Sequence, residues 1–260
     1  MFRFLQTRRD DAVEHLTLNR PEVRNAFNDE VVAELAQWAA AIAADRSVRV
    51  VVIAGAGKVF SAGADATWMA RMAEASADDN ERDALATTAM LGAINALPVV
   101  VIGRIHGAAL GGGAGLAAVC DIVIADDAAV FGFTETRLGI LPAMISPFVL
   151  PKIGVSAARA LFLTGSRFDA AHARAIGLVH TVVPATELDT AVAACVRDAL
   201  AAAPSAVAAA KALIPQVAGR RPHEVATLTA RSIAAQRIST EGQEGLRAFL
   251  DKRQPGWVVS

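Results

Sequence analysis

The sequence has no tyrosine, 5% aromatic residues and only two cysteines among its 260 residues. Cys120 and Cys195 lack CxxC spacing, which excludes a disulfide scaffold and predicts two reduced thiols in a reducing compartment. The five histidines are scattered along the chain, so cysteine and histidine form no metal-ligand pattern. We therefore expect no bound metal.

The chain also lacks an excess of either charge. Its formal net charge is -1 and it has no long basic run, which argues against a nucleic-acid partner but leaves room for one anionic ligand in a pocket. No apolar run has the length of a bilayer span, and residues 1–5 are followed by charged residues instead of a signal-peptide core. We expect no membrane partner and a soluble, cytoplasmic protein.

Three common catalytic motifs are missing as well. The sequence contains no GxSxG and no GxxxxGK[ST], and the GxGxxG pattern that starts at Gly111 ends on Leu116. Serine hydrolase chemistry and nucleotide-cofactor binding therefore lack their required parts. We expect no cofactor.

Apolar residues, by contrast, make up 54% of the chain and support a large core. The β-branched runs 48–54 and 99–103 predict buried strands, and the short helices and strands between them predict an α/β fold with ββα repeats. Residues 13–18 alternate like a strand, and we expect them to pair with 2–5. Further predictions are a helix from Asn28 to about 44, a helical region 65–96 with a mobile loop at 73–83, a helix at 112–119 and a strand at 121–125.

From residue 186 onward the pattern predicts helices only, punctuated by proline and glycine. The predicted helices are 186–202, 205–217, 222–238 and 241–252. We therefore divide the chain into a core, 1–185, that holds the site, and a helical C-terminal region, 186–260, that covers the core or a neighbouring subunit.

Two glycine-containing turns carry most of the functional information. Residues 60–65 (FSAGAD) and 109–115 (ALGGGAG) each follow a predicted strand and precede a helix-compatible stretch. Backbone N–H groups at such helix starts have no intrahelical partner. Two such turns brought together would direct two donors at one oxygen and form an oxyanion hole. Either turn alone is equally typical of an ordinary strand-to-helix connection.

The turns belong to a longer series of motifs. The series is 19–26 (NRPEVRNA), 60–65 (FSAGAD), 106–113 (HGAALGGG), 120–125 (CDIVIA), 131–135 (FGFTE), 163–165 (LTG) and 175–179 (AIGLV). In the order and spacing of these motifs, over about residues 16–253, the sequence resembles the crotonase family, also called the enoyl-CoA hydratase/isomerase family.

The resemblance implies a spiral of ββα turns with two roughly perpendicular sheets and a C-terminal helical region that mediates trimerisation. It implies an acyl-CoA thioester as the small-molecule partner, with coenzyme A as part of the substrate, and an enolate held at the thioester oxygen. It also implies a homotrimer or a dimer of trimers.

The resemblance also implies roles for individual residues. The N–H groups of Ala64 and Gly112 would be the oxyanion donors, Arg24 would lie near the adenosine phosphates, and Lys252 with Phe249 would reach a CoA phosphate or ring. Solvated surface charges remain an equal alternative for Arg24 and Lys252. The other residues expected at the substrate or CoA are Ala26, Ala62, Asp65, Ala66, Thr67 and Gly115.

Proton transfer requires a carboxylate within reach of C2 or C3 of the acyl chain, and Glu135 is the candidate. Its sequence neighbours are mostly apolar, and such surroundings raise the pKa of a carboxyl group. The alternative is a surface glutamate paired with Arg137.

Gly115 departs from the two-glutamate pattern of the family's hydratases, and a lone glutamate is what its double-bond isomerases keep. Residues 135–147 (ETRLGILPAMISP) instead resemble a hydratase branch that acts on branched glutaconyl-CoA thioesters and commonly has glycine at this position. We expect Gly115 to leave room for a branch or a carboxylate. The leading prediction is a hydratase-type lyase for enoyl-CoA thioesters; a Δ3-Δ2 isomerase and a non-catalytic acyl-CoA-binding protein stay open.

Overall fold

The computed structural model describes residues 2–258. Its strands are β1 Leu5–Asp10, β2 Val13–Leu18, β3 Val50–Gly55, β4 Val100–Ile105, β5 Ala108–Leu110, β6 Ile122–Asp126, β7 Val130–Gly132, β8 Arg167–Asp169 and β9 Thr181–Val183. Its α-helices are α1 Asp29–Ala44, α2 Ala66–Glu74, α3 Ala77–Asn95, α4 Gly112–Val119, α5 Ser146–Thr164, α6 Ala170–Ala175, α7 Leu188–Ala201, α8 Pro204–Val217, α9 Pro222–Ile238 and α10 Thr240–Leu250. Short 3-10 helices are Pro21–Val23, Glu135–Leu138 and Ala185–Glu187.

Six strands form the main sheet in the order β1-β2-β3-β4-β6-β9. Only β1 and β2 pair antiparallel, and the other neighbours are parallel. The antiparallel partner of β2 is thus Leu5–Asp10, so the expected pairing with residues 2–5 is confirmed only at Leu5, and the paired strand extends to Asp10. Charged residues after Leu5 are compatible with a strand here because β1 is an edge strand whose remaining residues are exposed.

The central strands are buried on both faces. Val51 and Ile53 of β3 contribute to the larger core beneath the helices, whereas Val50 and Val52 contribute to a smaller core that includes Leu188 of α7. Successive side chains of a strand point to opposite faces, so a strand covered on both sides needs apolar residues at every position. This explains the uninterrupted β-branched run that predicted the strand.

Most of the helices predicted from the sequence are present in the structure. The side chain of Asn28 accepts a hydrogen bond from the N–H of Val31 and caps α1, as expected. The predicted loop at 73–83 is wrong in extent, because Ser76 caps α3 and the chain leaves the helical conformation only at residues 75–76. Aspartates follow Ser76 in the first turn, and this capping chemistry lets a polar stretch continue as a helix.

The second sheet contains β5, β7 and β8. Strand β5 leads into the second glycine-containing turn, and β7 ends shortly before Glu135. The helical C-terminal region and the mixed α/β class are confirmed. The division at residues 185 and 186 stays a prediction, and α7 packs on the main sheet. Met1, Val259 and Ser260, at the outer ends of the two expected regions, lie outside the described residues.

Although Lys152 and Arg159 interrupt its apolar sequence, helix α5 has the length and composition of a membrane-spanning helix, which the expectation of no such run did not anticipate. Its backbone breaks at Gly154, where φ is 71° and ψ is 166°. Lys152 within the same helix donates a hydrogen bond of 2.5 Å to the carbonyl of Cys120. One helix of this kind is common in proteins without a membrane span, so the structure does not indicate a membrane protein.

Candidate active site

The two glycine-containing turns lie side by side at the carboxyl ends of β3 and β5. The N–H of Ser61 donates to the carbonyl of Ala108 at 3.0 Å, and the N–H of Leu110 donates to the carbonyl of Ser61 at 3.0 Å. A Cβ on Gly63 would stand 2.8 Å from the Leu110 carbonyl oxygen, and the φ of Gly63 is +93°. Glycine therefore allows both the left-handed backbone and the close approach of the turns.

A second set of bonds fixes the first turn from the other side. The N–H of Phe27 donates to Gly63 at 2.7 Å, and the N–H of Asp65 donates to Phe27 at 2.8 Å. Neither bond uses the N–H of Ala64, which lies between them. The backbone on both sides of Ala64 is therefore fixed, and the N–H of Ala64 itself remains available as a donor.

Asn25 and Ser61 support this arrangement from below, and the sequence analysis assigned them no role. The amide of buried Asn25 donates to the carbonyls of Ala56 and Val59, and the hydroxyl of Ser61 donates to the carbonyl of Asn25 at 2.8 Å. Both residues lie within the motifs at 19–26 and 60–65. The role of Asn25 becomes visible only in the structure, where its buried amide joins two loops.

Ala64 and Gly112 both line one cavity. Within residues 2–258 neither of their N–H groups donates a backbone hydrogen bond, whereas the flanking N–H groups of Asp65 and Gly111 do. Gly112 is the first residue of α4, where an N–H has no intrahelical acceptor. Two free main-chain donors thus open onto the same space.

Glu135 lines this cavity beside the second turn. Its Oε1 would lie 3.4 Å from a Cβ on Gly111, and its Oε2 is buried with no hydrogen-bond partner in the described part of the chain. Burial raises the pKa of the Glu135 carboxyl above its ordinary value of 4.5. The carboxyl group therefore holds a proton more readily than an exposed glutamate does.

The alternative of a surface pair between Glu135 and Arg137 is wrong. Arg137 Nε donates to the carbonyl of Thr164 at 3.1 Å, and Thr136 Oγ1 donates to the carbonyl of Phe162 at 2.8 Å. These two bonds attach the 3-10 helix to the end of α5. They fix the backbone that carries Glu135 and leave its carboxyl group to the cavity.

The cavity has a volume of about 510 Å³, and most of its wall is apolar. The residues that form this wall were not predicted from the sequence. Helix α2 contributes Trp68, Met69, Met72 and Ala73; α3 contributes Asn80, Asp83, Ala84 and Thr87; and the segment 138–145 contributes Leu138 and residues 140–145. The i, i+4 spacing of Trp68 and Met72 on α2 is the signal that could have predicted an apolar face there.

Of the predicted site residues, the structure brings Ala62, Ala64, Gly112 and Glu135 together at the cavity. Arg24 does not line it. The Arg24 side chain is exposed next to the first turn, and its carbonyl accepts a hydrogen bond of 2.9 Å from the N–H of Ala62.

The remaining predicted residues near the turns also lie outside the cavity wall. Ala26 is buried behind the first turn, and Ala66 and Thr67 are exposed in the first turn of α2. Asp65 caps α2 through Thr67 and Trp68. Its Oδ2 lies 2.9 Å from the guanidinium of Arg20, which also donates to the carbonyl of Ala26 at 2.6 Å.

Gly115 does not leave open space, so the expectation that it makes room for a branch or a carboxylate is wrong. A Cβ on Gly115 would overlap Cγ2 of Ile145, which itself lines the cavity. The side chain of Ile145 therefore fills the position where a second glutamate would extend. Gly115 is a packing residue between α4 and the start of α5.

Phe249 and Lys252 do not come near the other predicted residues within one chain. Helix α10 packs against α8 and α9, and neither residue lines the cavity. Phe249 is 80% exposed, and Lys252 follows the helix in a left-handed conformation. Their expected contact with CoA stays a prediction.

No metal-binding cluster of three or more His, Cys, Asp or Glu side chains occurs among residues 2–258. Two free main-chain donors, one buried carboxylate and a largely apolar cavity are typical of enzymes that stabilise an oxyanion. Fold and site together therefore define an α/β protein that has the elements of an oxyanion-stabilising centre.

Comparison with known proteins agrees with this class. Residues 8–259 match the family described as Enoyl-CoA hydratase/isomerase. A Mycobacterium tuberculosis protein named probable enoyl-CoA hydratase is 38% identical over 253 residues, which cover 95% of each chain. Among solved structures, an enoyl-CoA hydratase/isomerase from Marinobacter aquaeolei is 37% identical with a TM-score of 0.93, covering 98% of this chain and 99% of that chain. Pseudomonas aeruginosa AtuE is 39% identical with a TM-score of 0.95, covering 99% and 100%.

The protein belongs to the enoyl-CoA hydratase/isomerase, or crotonase, family. Members of this family bind acyl-CoA substrates, which agrees with a cavity whose polar groups are few and lie at the glycine-containing turns.

Proposed function

We propose that the protein is an enoyl-CoA hydratase that adds water across the 2,3 double bond of an enoyl-CoA thioester. The observation that carries this proposal is the presence of the free N–H groups of Ala64 and Gly112 and the buried carboxylate of Glu135 in one cavity. Relatives named enoyl-CoA hydratase that match nearly the whole chain support it.

In the proposed reaction the thioester oxygen accepts hydrogen bonds from Ala64 and Gly112. The carboxylate of Glu135 takes one proton from water, the water oxygen bonds to C3, and the electrons of the double bond move to the thioester oxygen. Glu135 then gives the proton to C2 as the carbonyl forms again. One water molecule is added and Glu135 returns to its starting state.

Each main-chain donor is expected to lower the barrier by about 3 to 4 kcal/mol, because it is already oriented where negative charge develops. Gly112 begins α4, so the positive end of the helix dipole adds to this effect. A raised pKa makes Glu135 a stronger base than an exposed glutamate.

A Δ3-Δ2 enoyl-CoA isomerase is the second candidate, and the packing of Gly115 favours it. Ile145 occupies the space that a second glutamate would need at this position. An isomerase requires one carboxylate that removes a proton from one carbon and returns it to another. Glu135 could perform this transfer with the same two donors at the thioester oxygen.

The two candidates are separated by their substrates. A 2-enoyl-CoA should lose its conjugated absorbance in the presence of the protein, and mass spectrometry should show the gain of one water. Conversion of a 3-enoyl-CoA to the conjugated isomer, with no hydration of any 2-enoyl-CoA, would establish the isomerase instead. Binding of acyl-CoA without turnover of either substrate would support a non-catalytic acyl-CoA-binding protein.

The substrate panel should include crotonyl-CoA, a 3-methyl-branched enoyl-CoA and 3-methylglutaconyl-CoA. The resemblance of residues 135–147 to the branched-chain branch is the reason to propose a branched chain. The structure offers no vacant volume at Gly115 for the branch, so such a chain would have to fit between α2, α3 and segment 138–145.

A further inference from the structure

The wall of the cavity that α3 forms contains a second carboxylate. Asn80, Asp83, Ala84 and Thr87 line the cavity at the i, i+3, i+4, i+7 spacing of one helix face. The indole Nε1 of Trp68 donates to Oδ1 of Asp83 at 3.2 Å, which holds this carboxylate against α2. The Asp83 carboxylate is therefore held in a defined position at the cavity, whereas the exposed aspartates in the first turn of α3 do not line the cavity.

No cationic side chain balances this charge inside the cavity. The charged residues that line it are Glu135 and Asp83, and no Lys, Arg or His within residues 2–258 does so. Asp83 also borders a shallow groove outside the cavity, which it shares with Arg71 and Arg82. Both arginines are exposed and already paired: the guanidinium of Arg71 is 2.8 Å from Asp29, and that of Arg82 is 2.6 Å from Asp79.

The polar groups next to Asp83 do not provide strong hydrogen-bond donors for a carboxylate on the acyl chain either. The amide of Asn80 already donates to the carbonyls of Met72, Ala75 and Ser76. The Oγ1 of buried Thr87 has no partner in the described chain and is a single neutral hydroxyl group. Hydrogen bonding to a neutral hydroxyl does not compensate the desolvation of an ionised carboxylate.

We infer that the acyl chain accepted by this site is uncharged, and that Asp83 is a specificity-determining residue that disfavours an acyl chain ending in a carboxylate. The inference rests on the proposed function and narrows its substrate class, because the sequence left branched and carboxylated chains open. A carboxylated chain would meet two like charges and no cation, whereas an aliphatic chain would contact Met69, Met72 and Ala84.

The test compares glutaconyl-CoA with its primary amide, two thioesters of nearly equal size that differ in charge. At about pH 8, where the carboxylates are ionised, the protein should show a kcat/KM at least about tenfold higher for the amide. Asp83→Asn keeps an acceptor for Trp68 and should reduce this preference by at least about tenfold. Equal kcat/KM values for the two substrates in the unaltered protein would overturn the inference.

Asp78→Asn is the matched control, because Asp78 is an exposed aspartate of the same helix that does not line the cavity. It removes the same charge from α3 and should leave the preference unchanged. If it reduces the preference as much as Asp83→Asn does, the effect comes from the general charge of α3 and the role of Asp83 is refuted.

A binding measurement separates this inference from the proposed function. Glutaryl-CoA and its primary amide are saturated, so their affinities do not depend on hydration. Calorimetry should show tighter binding of the amide to the unaltered protein and a smaller difference for Asp83→Asn. Absence of hydration with the unsaturated pair would refute the proposed function alone, whereas equal affinities of the saturated pair would refute the uncharged-chain inference alone.

Discussion

Glu135 combines a buried position, an unpaired oxygen and a place beside two free main-chain donors. We predict that Glu135→Gln folds and binds acyl-CoA, because the amide has nearly the same shape, but loses at least about a hundredfold in turnover. Steady-state hydration and calorimetric binding of a saturated acyl-CoA check this. Turnover close to that of the unaltered protein would refute the assignment.

The same residue predicts the acidic limb of the pH profile. As a base, Glu135 acts in its ionised form, and burial raises its pKa above 4.5. Activity should therefore fall as the pH decreases through that raised pKa, and the limb should lie above the ordinary value of a glutamate. The measurement is kcat/KM against pH, and the residual activity of Glu135→Gln should lack this limb.

Gly112 contributes its N–H and the absence of a side chain. A Cβ on Gly112 would lie 3.2 Å from the ring of Phe27, which lines the same cavity as the two donors. We predict that Gly112→Val abolishes hydration while the protein stays folded. Gly92→Ala is the control, because its Cβ would meet its nearest atom, in Phe148, at 4.0 Å. Retained activity in Gly112→Val would show that the thioester oxygen lies elsewhere.

At the scale of elements, α2 begins at a buried ion pair. Burial alone would raise the pKa of Asp65, but hydrogen bonds from the N–H groups of Trp68 and Thr67 and from Arg20 hold it below 3.8. A lowered folded-state pKa stabilises the protein above the unfolded value, and this stabilisation is lost as the pH falls through the folded value.

We predict that Asp65→Asn lowers the free energy of unfolding by about 2 to 4 kcal/mol at neutral pH, because Arg20 loses its charged partner. The difference from the unaltered protein should begin to shrink as the pH falls below 3.8, where the unfolded carboxyl takes up a proton, and should vanish as the pH passes through the lower pKa of the folded state. Urea unfolding at neutral and acidic pH measures both effects. A difference that is constant with pH would contradict the ionic explanation.

The contact between α4 and α5 depends on the pair Gly115 and Ile145. Gly115→Ala would overlap Ile145, so we predict a loss of about 1 to 3 kcal/mol in the free energy of unfolding. Ile145→Ala should relieve the overlap. The double variant should therefore lose less free energy of unfolding than the two single variants lose in sum. Purely additive effects in this double-mutant cycle would show that the two side chains do not compete for the same space.

At the scale of the whole molecule, the C-terminal helices expose large apolar side chains that a single chain does not cover. Examples are Ile214, Ile233, Ile238, Leu246, Phe249 and Leu250. We predict a homotrimer or a dimer of trimers, since large apolar side chains exposed in this number on one region are usually buried in an interface. Light scattering at micromolar concentration should give the mass of a trimer or of a dimer of trimers of the 27.0 kDa chain.

The matched variant for this prediction replaces Phe249 and Leu250, which are 80% and 76% exposed, by serine. It should shift the assembly toward smaller species without unfolding the chain, because neither side chain belongs to the core. A monomeric unaltered protein would contradict the prediction. The cytoplasmic location expected from the sequence stays a prediction alongside it.

The sequence by itself determined the α/β class, the buried strands, the capped helix α1, the helix at 112–119 and the helical C-terminal region. It also predicted the two glycine-containing turns and the glutamate that the structure brings to one cavity. These features depend on neighbouring residues: β-branched runs, caps, and glycines at strand-to-helix turns act within a few positions of the chain.

Only the tertiary structure decided what lies opposite each residue. The resemblance to two-glutamate hydratases predicted open space at Gly115, but Ile145, thirty positions later, fills it. It also gave no sign that Asp83 of α3 would line the cavity with Glu135. Packing partners and charge balance depend on residues distant in sequence, and close packing leaves a position vacant only if every neighbouring element leaves it vacant.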